Sequence, residues 1–412
     1  MMPEQTLEAL PIGSIPALGE VPKAMRAYVI RKERFGEPLK AFQEELIPTW
    51  EVGPGEVLVQ VMAVGVNFNG VWAGLGEPVD VMRYTKLDSH VAGSDASGVV
   101  WAVGPGAEGV KVGDEVVLHC NHLLRPGASD AQLIWGYETS HGSFGQFTKV
   151  QAQQCLPKPK DLSWEEAASY GLTFYTAHRM LVDKARVQPG EDVLVWGGAG
   201  GLGVFAVQLT KIMGGRAIAV VSSEEKAKLA MSLGAFGTIN RRDFPELQYL
   251  DGMTPEEEEA HLAAVKAFGK RIWKILGERK GPDVVFEHVG KATFRASVFL
   301  ADPHGRIVIC GATTGYDLSF DVRHLWMKRK QIIGSHFANA QSCDRANRLV
   351  IQHQIRPVMT RLFTWKELPL AHQLMYENKL HGTVACLVGS PMPGLRNLDE
   401  VRKVTEGQTH GQ

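Results

Sequence analysis

Residues 192–209 read DVLVWGGAGGLGVFAVQL. The first five form a short apolar run of strand character, and the last seven carry helical spacing. Between them Gly198, Gly200 and Gly203 stand in GxGxxG spacing. Alone this spacing is a weak signal. Between a strand and a helix it reads as a phosphate loop, because glycines allow a tight turn and let the backbone approach a pyrophosphate at the helix N-terminus.

The alternation continues on either side of that unit. RAIAVVS (216–222) precedes EEKAKLAMSLGA (224–235), and GTIN (237–240) reads as a third strand. PDVVFEHVG (282–290), GRIVICGATTG (305–315) and QIIGSHFA (331–338) follow. Strands alternating with helices imply a parallel sheet with right-handed crossovers. The insert 244–281 is too long for a plain crossover and predicts an acidic turn plus one long helix. Before this region the pattern differs. RAYVIRK, EVLVQVMAVGVN, ASGVVWAVG, DEVVLHC and GQFTKV are short β-rich runs between glycine and proline turns, which predicts a compact β unit. Ser163 and Glu166 have the spacing of a capping box. From about Cys343 a helix, a proline-marked strand and TVACLV return to the first unit. The expected organisation is a β-rich catalytic and substrate domain, 1–178 with 344–412, and a Rossmann dinucleotide-binding domain, 179–343. Residues 1–25 read as an extended surface arm.

With 44 basic and 45 acidic side chains the net charge is −1, which gives no reason to expect nucleic acid or an anionic membrane as partner. The five cysteines are scattered and none forms CxxC, as expected of a reduced cytoplasmic enzyme. The start lacks a signal-peptide pattern, and no apolar run approaches the roughly 20 residues of a membrane span.

The second strand decides the cofactor. An NAD site usually ends it with Asp or Glu to hold the ribose hydroxyls. Here it ends in Ser222 and Ser223, with Lys226 one turn into the helix, and Arg241 and Arg242 follow the third strand. Hydroxyls and cations suit a 2′-phosphate, so NADPH is expected. Glu224 and Glu225 are expected to lie on the helix, turned away.

The β-rich first domain, the GGAGGLG loop and the returning C-terminus together resemble the medium-chain dehydrogenase/reductase superfamily. Many members hold a catalytic zinc through Cys and Gly-His-Glu. This sequence has GVNFNGVW and AGSDASG at those places, with Ser94 and Asp95 in the second. His119, Cys120 and His122 in HCNH read as a structural strand-end cluster. No metal is expected. Without a metal to polarise a carbonyl, hydride transfer to an activated C=C is the chemistry implied.

At finer grain GVNFNGVWAGLGEP, HVAGSDASGVVW, IWGYETSHGSFGQF, FGKRIW, VFEHVGKATF and GSHFAN resemble the crotonyl-CoA carboxylase/reductase group of enoyl-thioester reductases. The resemblance implies NADPH-dependent reduction of an α,β-unsaturated acyl-CoA with capture of carbon dioxide, giving an alkylmalonyl-CoA such as ethylmalonyl-CoA. It assigns the carbon dioxide pocket to an Asn of NFN, to Tyr137 and Glu138, and to His336. Asn67 and Asn69 are not separated, because two positions apart on a strand share a face. Glu138 is expected to orient His336, with Tyr137 as a shield from water. The cofactor path is expected to include Thr173, Ala199, Gly201, Leu202, His288, Cys310, Gly311 and Phe337. Arg323, Lys328, Arg329 and Arg345, with Lys330 and Arg348 nearby in sequence, are offered to the CoA phosphates. A homo-oligomer, dimer or tetramer, is expected, with GRIVIC as an edge strand across a twofold axis. Two departures stand out: a short connector, HLLRPGASDAQL (122–133), and Val289, where Pro is commoner. The competing readings are an enoyl-CoA reductase that only protonates its enolate, a zinc-free quinone or enone reductase, and a non-catalytic NADPH-binding protein.

Overall fold

The computed structural model describes residues 8–85, 87–125, 128 and 133–409. It divides into two compact units, Met1–Leu172 with Ala338–Gln412, and Thr173–Phe337. These junctions fall earlier than the 178/179 and 343/344 suggested by the change in pattern. One lies inside the helix Gly171–His178, where no shift in residue type marks it.

The second unit is built on a six-stranded parallel sheet. Its order is Gly237–Asn240, Arg216–Val221, Asp192–Val195, Val284–Glu287, Arg306–Ile309, Gln331–Gly334. Counted along the chain this is 3-2-1-4-5-6, the doubly wound arrangement whose ligands sit beyond the carboxyl ends of the strands. Asp192–Val195 and Val284–Glu287 are buried at every position, as central strands covered on both faces must be. Leu194, Ile218, Val285 and Ile307 pack with Val265, Phe268 and Ile272 of the helix Pro255–Leu276. Trp196 stacks on Phe268 at 5.5 Å between ring centres, and its indole N–H donates to Ser297 Oγ at 2.8 Å. The long helix is the one expected in the insert. Thr254 and Glu257 close a capping box at its start, and Gly277 ends it in the left-handed region.

One expectation fails in this sheet. GRIVIC is not an edge: Arg306–Ile309 is paired on both sides, and Gln331–Gly334 is the outer strand. The apolar character of GRIVIC reflects that interior position.

In the first unit, Glu56–Gly65 is the central strand. It pairs with Ala96–Val103, with Phe147–Gln151 and with the returning strand Thr383–Leu387, all antiparallel. Register shifts at Leu58/Val59 and Val61/Ala63 bend it, as bulges do. Met62, Val99, Trp101, Phe147 and Trp164 fill the core beneath. Ser163 and Glu166 form the expected capping box. Residues 8–23 lie over this unit, held by Gln146 Nε2–H to Leu10 O, Gly13 N–H to Val388 O and Trp101 Nε1–H to Glu20 O. Residues 1–7 of the arm lie outside the described residues, as do 126–127 and 129–132 of the short connector. Among the described residues no helix is long and apolar enough to cross a membrane.

Candidate cofactor and acyl sites

The glycine loop owes its shape to close packing. A Cβ on Gly203 would lie 2.1 Å from Gly197 O, and one on Gly198 would lie 2.5 Å from Ala219 Cβ. Glycine at both is therefore a steric requirement. Gly200 closes the turn by donating to Gly197 O at 2.8 Å. Ala199 is buried in the loop, Gly201 follows, and Leu202 precedes the helix Gly203–Ile212 with no side-chain cap. The Val204 N–H of its first turn donates to Gly200 O at 3.0 Å, and the helix starts just past the strand end, where its dipole suits a phosphate.

His288 fixes the loop from the side. Its Nε2–H donates to Trp196 O at 2.9 Å, and burial lowers its pKa, so the ring is a neutral donor. Beneath it Glu287 is wholly buried and takes bonds from Ser297 Oγ at 2.7 Å and Thr293 Oγ1 at 2.9 Å. It also accepts the Val289 N–H at 2.7 Å, which a proline there would lack. The departure at Val289 therefore adds a bond to the turn.

At the end of the second strand Ser223 caps the helix Glu224–Ser232, accepting the Lys226 N–H at 3.3 Å. Ser222 sits beside it, half-buried. Burial, then Arg241 and Arg242, hold the Lys226 ammonium below its ordinary value. Mutually repelling cations at this point favour an anion such as a 2′-phosphate. Glu224 and Glu225 are exposed on the helix, as expected. Cys310 and Gly311 follow the fifth strand, the Cys310 thiol being pushed up to about 12 by burial. His336 and Phe337 follow the sixth, with the two rings edge to face at 4.6 Å and Phe337 at φ 45°. Gly198, Ser222, His288, Cys310 and His336 thus all lie just past carboxyl ends of the parallel strands. Thr173 lies elsewhere, in the first turn of the helix Gly171–His178, its Oγ1 buried without a partner.

In the first unit the NFN stretch is not a strand. Asn67 is the N-cap of the helix Phe68–Leu75, and Asn69 lies in its first turn. The shared-face expectation fails because the extended run ends at Asn67. Both side chains are nevertheless buried and anchored: Asn67 Nδ2–H to Asp95 Oδ2 at 3.3 Å, and Asn69 Nδ2–H to Ser94 Oγ at 2.7 Å.

Tyr137 and Glu138 sit in a turn after the strand Leu133–Ile134. Their N–H groups both donate to Ile134 O, at 3.1 and 2.7 Å, and Glu138 Oε2 accepts the Ile134 N–H at 2.8 Å. Gly136 makes the turn possible: it has φ 73°, and a Cβ there would lie 1.8 Å from Gly93 O. Tyr137 is buried and Glu138 only partly so. His90, bonded to Ser140 Oγ at 3.2 Å, and His141 are both lowered to about 4, chiefly by burial.

His119 has both ring nitrogens engaged, Nε2 with Gln153 O at 2.9 Å and Nδ1 accepting the Asn121 N–H at 3.2 Å. Burial raises the Cys120 thiol and lowers His122. Among the described residues no group of three His, Cys, Asp or Glu is placed to hold a metal.

The basic residues offered to CoA diverge. Arg323 is turned onto Asp321 in a bidentate pair at 2.6 and 3.0 Å, Lys328 is exposed, and Arg329 Nε–H bonds His304 Nε2 at 3.1 Å. Arg345 reaches Ser342 Oγ at 3.4 Å on the helix Ala340–Ile351, and Arg348 pairs with Asp344. Lys330 does not belong with them. It is buried, donates to Val298 O and Phe299 O at 2.7 and 3.1 Å, and is lowered to about 8 by burial.

Sequence reading missed the role of Asp95, which it noted only as a zinc-motif replacement. The side chain is 1% exposed. Burial pushes its pKa up to about 8, against the opposing Leu172 N–H, Asn67 amide and Gly171 N–H. A lone carboxylate inside HVAGSDASGVVW, a run with no other acid and few polar residues, was the available signal.

Two family models match the chain: an alcohol dehydrogenase GroES-like domain over residues 53–160 and a zinc-binding dehydrogenase over 201–352. With the doubly wound sheet and its glycine loop, they define a two-domain medium-chain dehydrogenase/reductase with a dinucleotide site. A catalytic zinc does not fit these residues, since Ser94 and Asp95 are engaged by Asn69 and Asn67. The crotonyl-CoA carboxylase/reductase of Cereibacter sphaeroides is 48% identical over 402 residues, covering 95% of this chain and 94% of that protein. A solved crotonyl-CoA carboxylase/reductase superposes with a TM-score of 0.89 at 47% identity, over 96% of this chain and 95% of its own. A 2-octenoyl-CoA carboxylase reductase solved with NADP and 2-octenoyl-CoA gives 0.85 at 34% identity, over 93% of each. The chain belongs to the crotonyl-CoA carboxylase/reductase family.

Two predictions follow from this geometry. Replacing Lys226 and Arg241 together by Ala lowers kcat/KM for NADPH roughly 10- to 100-fold and that for NADH by less than about threefold. Steady-state kinetics with both cofactors check this, and an equal loss for each refutes the 2′-phosphate assignment. Asp95, raised from 3.8 to about 8, holds a proton in the folded protein that the unfolded chain has released. Its contribution to stability is full below about 3.8, falls as pH rises across that window and levels above about 8. Thermal unfolding from pH 5 to 9 should therefore show the Asp95→Asn protein gaining on the parent up to about pH 8. A pH-independent difference excludes it.

Proposed function

We infer that this protein reduces the C=C bond of a crotonyl-CoA-like α,β-unsaturated acyl-CoA with NADPH and traps carbon dioxide, giving an alkylmalonyl-CoA. Membership of the carboxylase/reductase family carries this reading, and the Ser222–Ser223–Lys226–Arg241 corner supports NADPH. In it, Thr173–Phe337 is the cofactor unit and the β-rich unit serves the acyl thioester.

Bound NADPH supplies a hydride to the β-carbon of the substrate. The thioester enolate that results is nucleophilic at its α-carbon. Attack on carbon dioxide forms a C–C bond there, the enolate electrons close the thioester carbonyl again, and the product carries a carboxylate. Charge grows on the carbon dioxide oxygens during that bond formation, so pre-placed neutral donors lower its barrier. Asn67 or Asn69 and the His336 imidazole are assigned to that task. Glu138, whose Oε2 accepts the Ile134 N–H, is assigned to orient His336, and Tyr137 to keep bulk water out. Arg323, Lys328, Arg329 and Arg345 are assigned to the CoA phosphates.

A second copy of the chain is assigned to the outer strand Gln331–Gly334. Val322, Trp326 and Met327, just before it, are 55%, 63% and 56% exposed, and such apolar exposure beside an unpaired edge suits self-association as a dimer or tetramer. Trp326→Glu should move the protein to a smaller species in sedimentation velocity with its circular dichroism unchanged. Identical sedimentation of the two proteins dismisses this surface.

For the chemistry, the test is the product ratio from crotonyl-CoA, NADPH and labelled bicarbonate. Glu138→Ala and His336→Asn should each shift product from ethylmalonyl-CoA toward butyryl-CoA, by roughly 10- to 100-fold in ratio. Slower reduction with an unchanged ratio would sink the residue assignment. Complete reduction without label in the parent protein would make it a protonating enoyl-CoA reductase.

A further inference from the structure

Ser94 and Asp95 stand where metal-dependent members of the superfamily carry Gly-His-Glu, and here each contacts one asparagine of NFN. We propose that Ser94 and Asp95 are positioning residues that fix the carboxamides of Asn69 and Asn67 for the carboxylation step. The inference rests on the reading of these asparagines as carbon dioxide donors.

An asparagine at a helix N-cap ordinarily turns its side-chain oxygen onto the amides of the first turn. Asn67 makes no such bond. Its Nδ2–H goes to Asp95 Oδ2 at 3.3 Å instead. Asn69, two residues further in, donates Nδ2–H to Ser94 Oγ at 2.7 Å. A carboxamide has two ends of nearly equal shape and opposite polarity. Committing one N–H to an acceptor decides which end faces the remaining side. For a group that must donate to a carbon dioxide oxygen, a flip would present an oxygen lone pair and repel the charge that grows there.

The anchor itself is rigid. A Cβ on Gly65 would lie 2.9 Å from Asp95 Oδ2, and one on Gly171 would lie 2.5 Å from Oδ1. These two glycines wall the carboxyl on both sides, so it has no room to swing. The N–H of Leu172 meets Oδ2 at 3.3 Å from the helix behind. The titratable group facing Asp95 is the Cys120 thiol, kept neutral by burial, and Glu138 acts on that thiol in turn. Burial also keeps Asp95 protonated at neutral pH, with a value of about 8. Its acceptor oxygen is then a carbonyl, a role that the carboxamide of Asn can fill at the same size.

The test uses the full chain with saturating NADPH, crotonyl-CoA and labelled bicarbonate, and reads the ratio of ethylmalonyl-CoA to butyryl-CoA. Asp95→Val and Ser94→Ala should each lower the ratio about tenfold with the KM for NADPH unchanged, while Asp95→Asn keeps it within about twofold of the parent. Loss of both products in proportion, at an unchanged ratio, would mean a structural role only and overturns the proposal. Ser94→Ala removes a single hydroxyl and carries the test if Asp95→Val does not fold. Asn67→Ala and Asn69→Ala separate the two levels. If they lower the ratio and the Ser94 and Asp95 variants do not, positioning alone fails. If they leave it unchanged, the donor reading fails and takes the proposal with it.

Discussion

The α-carbon of Gly203 lies against the carbonyl of Gly197, and that of Gly198 against the neighbouring strand at Ala219. No side chain fits at either place. This one steric constraint lets the first strand of the parallel sheet turn straight into its helix. The other features of the cofactor unit follow from it. His288 braces the loop through Trp196 O, Glu287 braces the turn that carries His288, and Ser297 ties both to the indole of Trp196. A change at Gly203 would move that whole chain of bonds.

The β-rich unit solves a different problem. Where metal-dependent relatives of this fold place ligands, this chain places groups that bind one another. The partners are short and neutral: a hydroxyl, two carboxamides and a carboxyl that burial keeps protonated below about pH 8. The imidazoles of His90, His119 and His141 are likewise held neutral, at about 4. Desolvation is the leading cause in every case, so burial inside this unit sets these protonation states.

Much of this was legible in the sequence because it is local. The glycine loop, the capping box at Ser163, and Ser222, Ser223 and Lys226 after the second strand are read from neighbours within a few residues. What failed depends on partners far along the chain. GRIVIC becomes interior only because QIIG adds beside it, and the order of strands in a sheet is not written in either run. Lys330 looks like the end of a basic run until Val298 and Phe299 supply carbonyls from another helix. NFN extends an apolar strand in sequence, so the helix start at Asn67 was hidden. Its signal, an N-cap Asn and the left-handed Gly76 at the far end, was outweighed by the β pattern before it. Asp95 gains its meaning only from Asn67, 28 positions away.

The use of carboxamides also bears on the competition that the enolate faces. A thioester enolate is a strong base as well as a carbon nucleophile, and any acid within reach diverts it to the saturated product. An imidazolium or a carboxylic acid at the donor position would stabilise charge on carbon dioxide and also offer its proton. An amide N–H donates a hydrogen bond with no proton to give at any accessible pH. Asp95 is an acid of about 8, but Gly65, Gly171 and the Asn67 amide enclose it, so its proton is separated from the pocket by the group it holds. With Asn67 proposed as the donor to carbon dioxide, the Asp95 proton stands behind that donor, and the proposed selectivity for carbon dioxide over a proton rests on that order of placement.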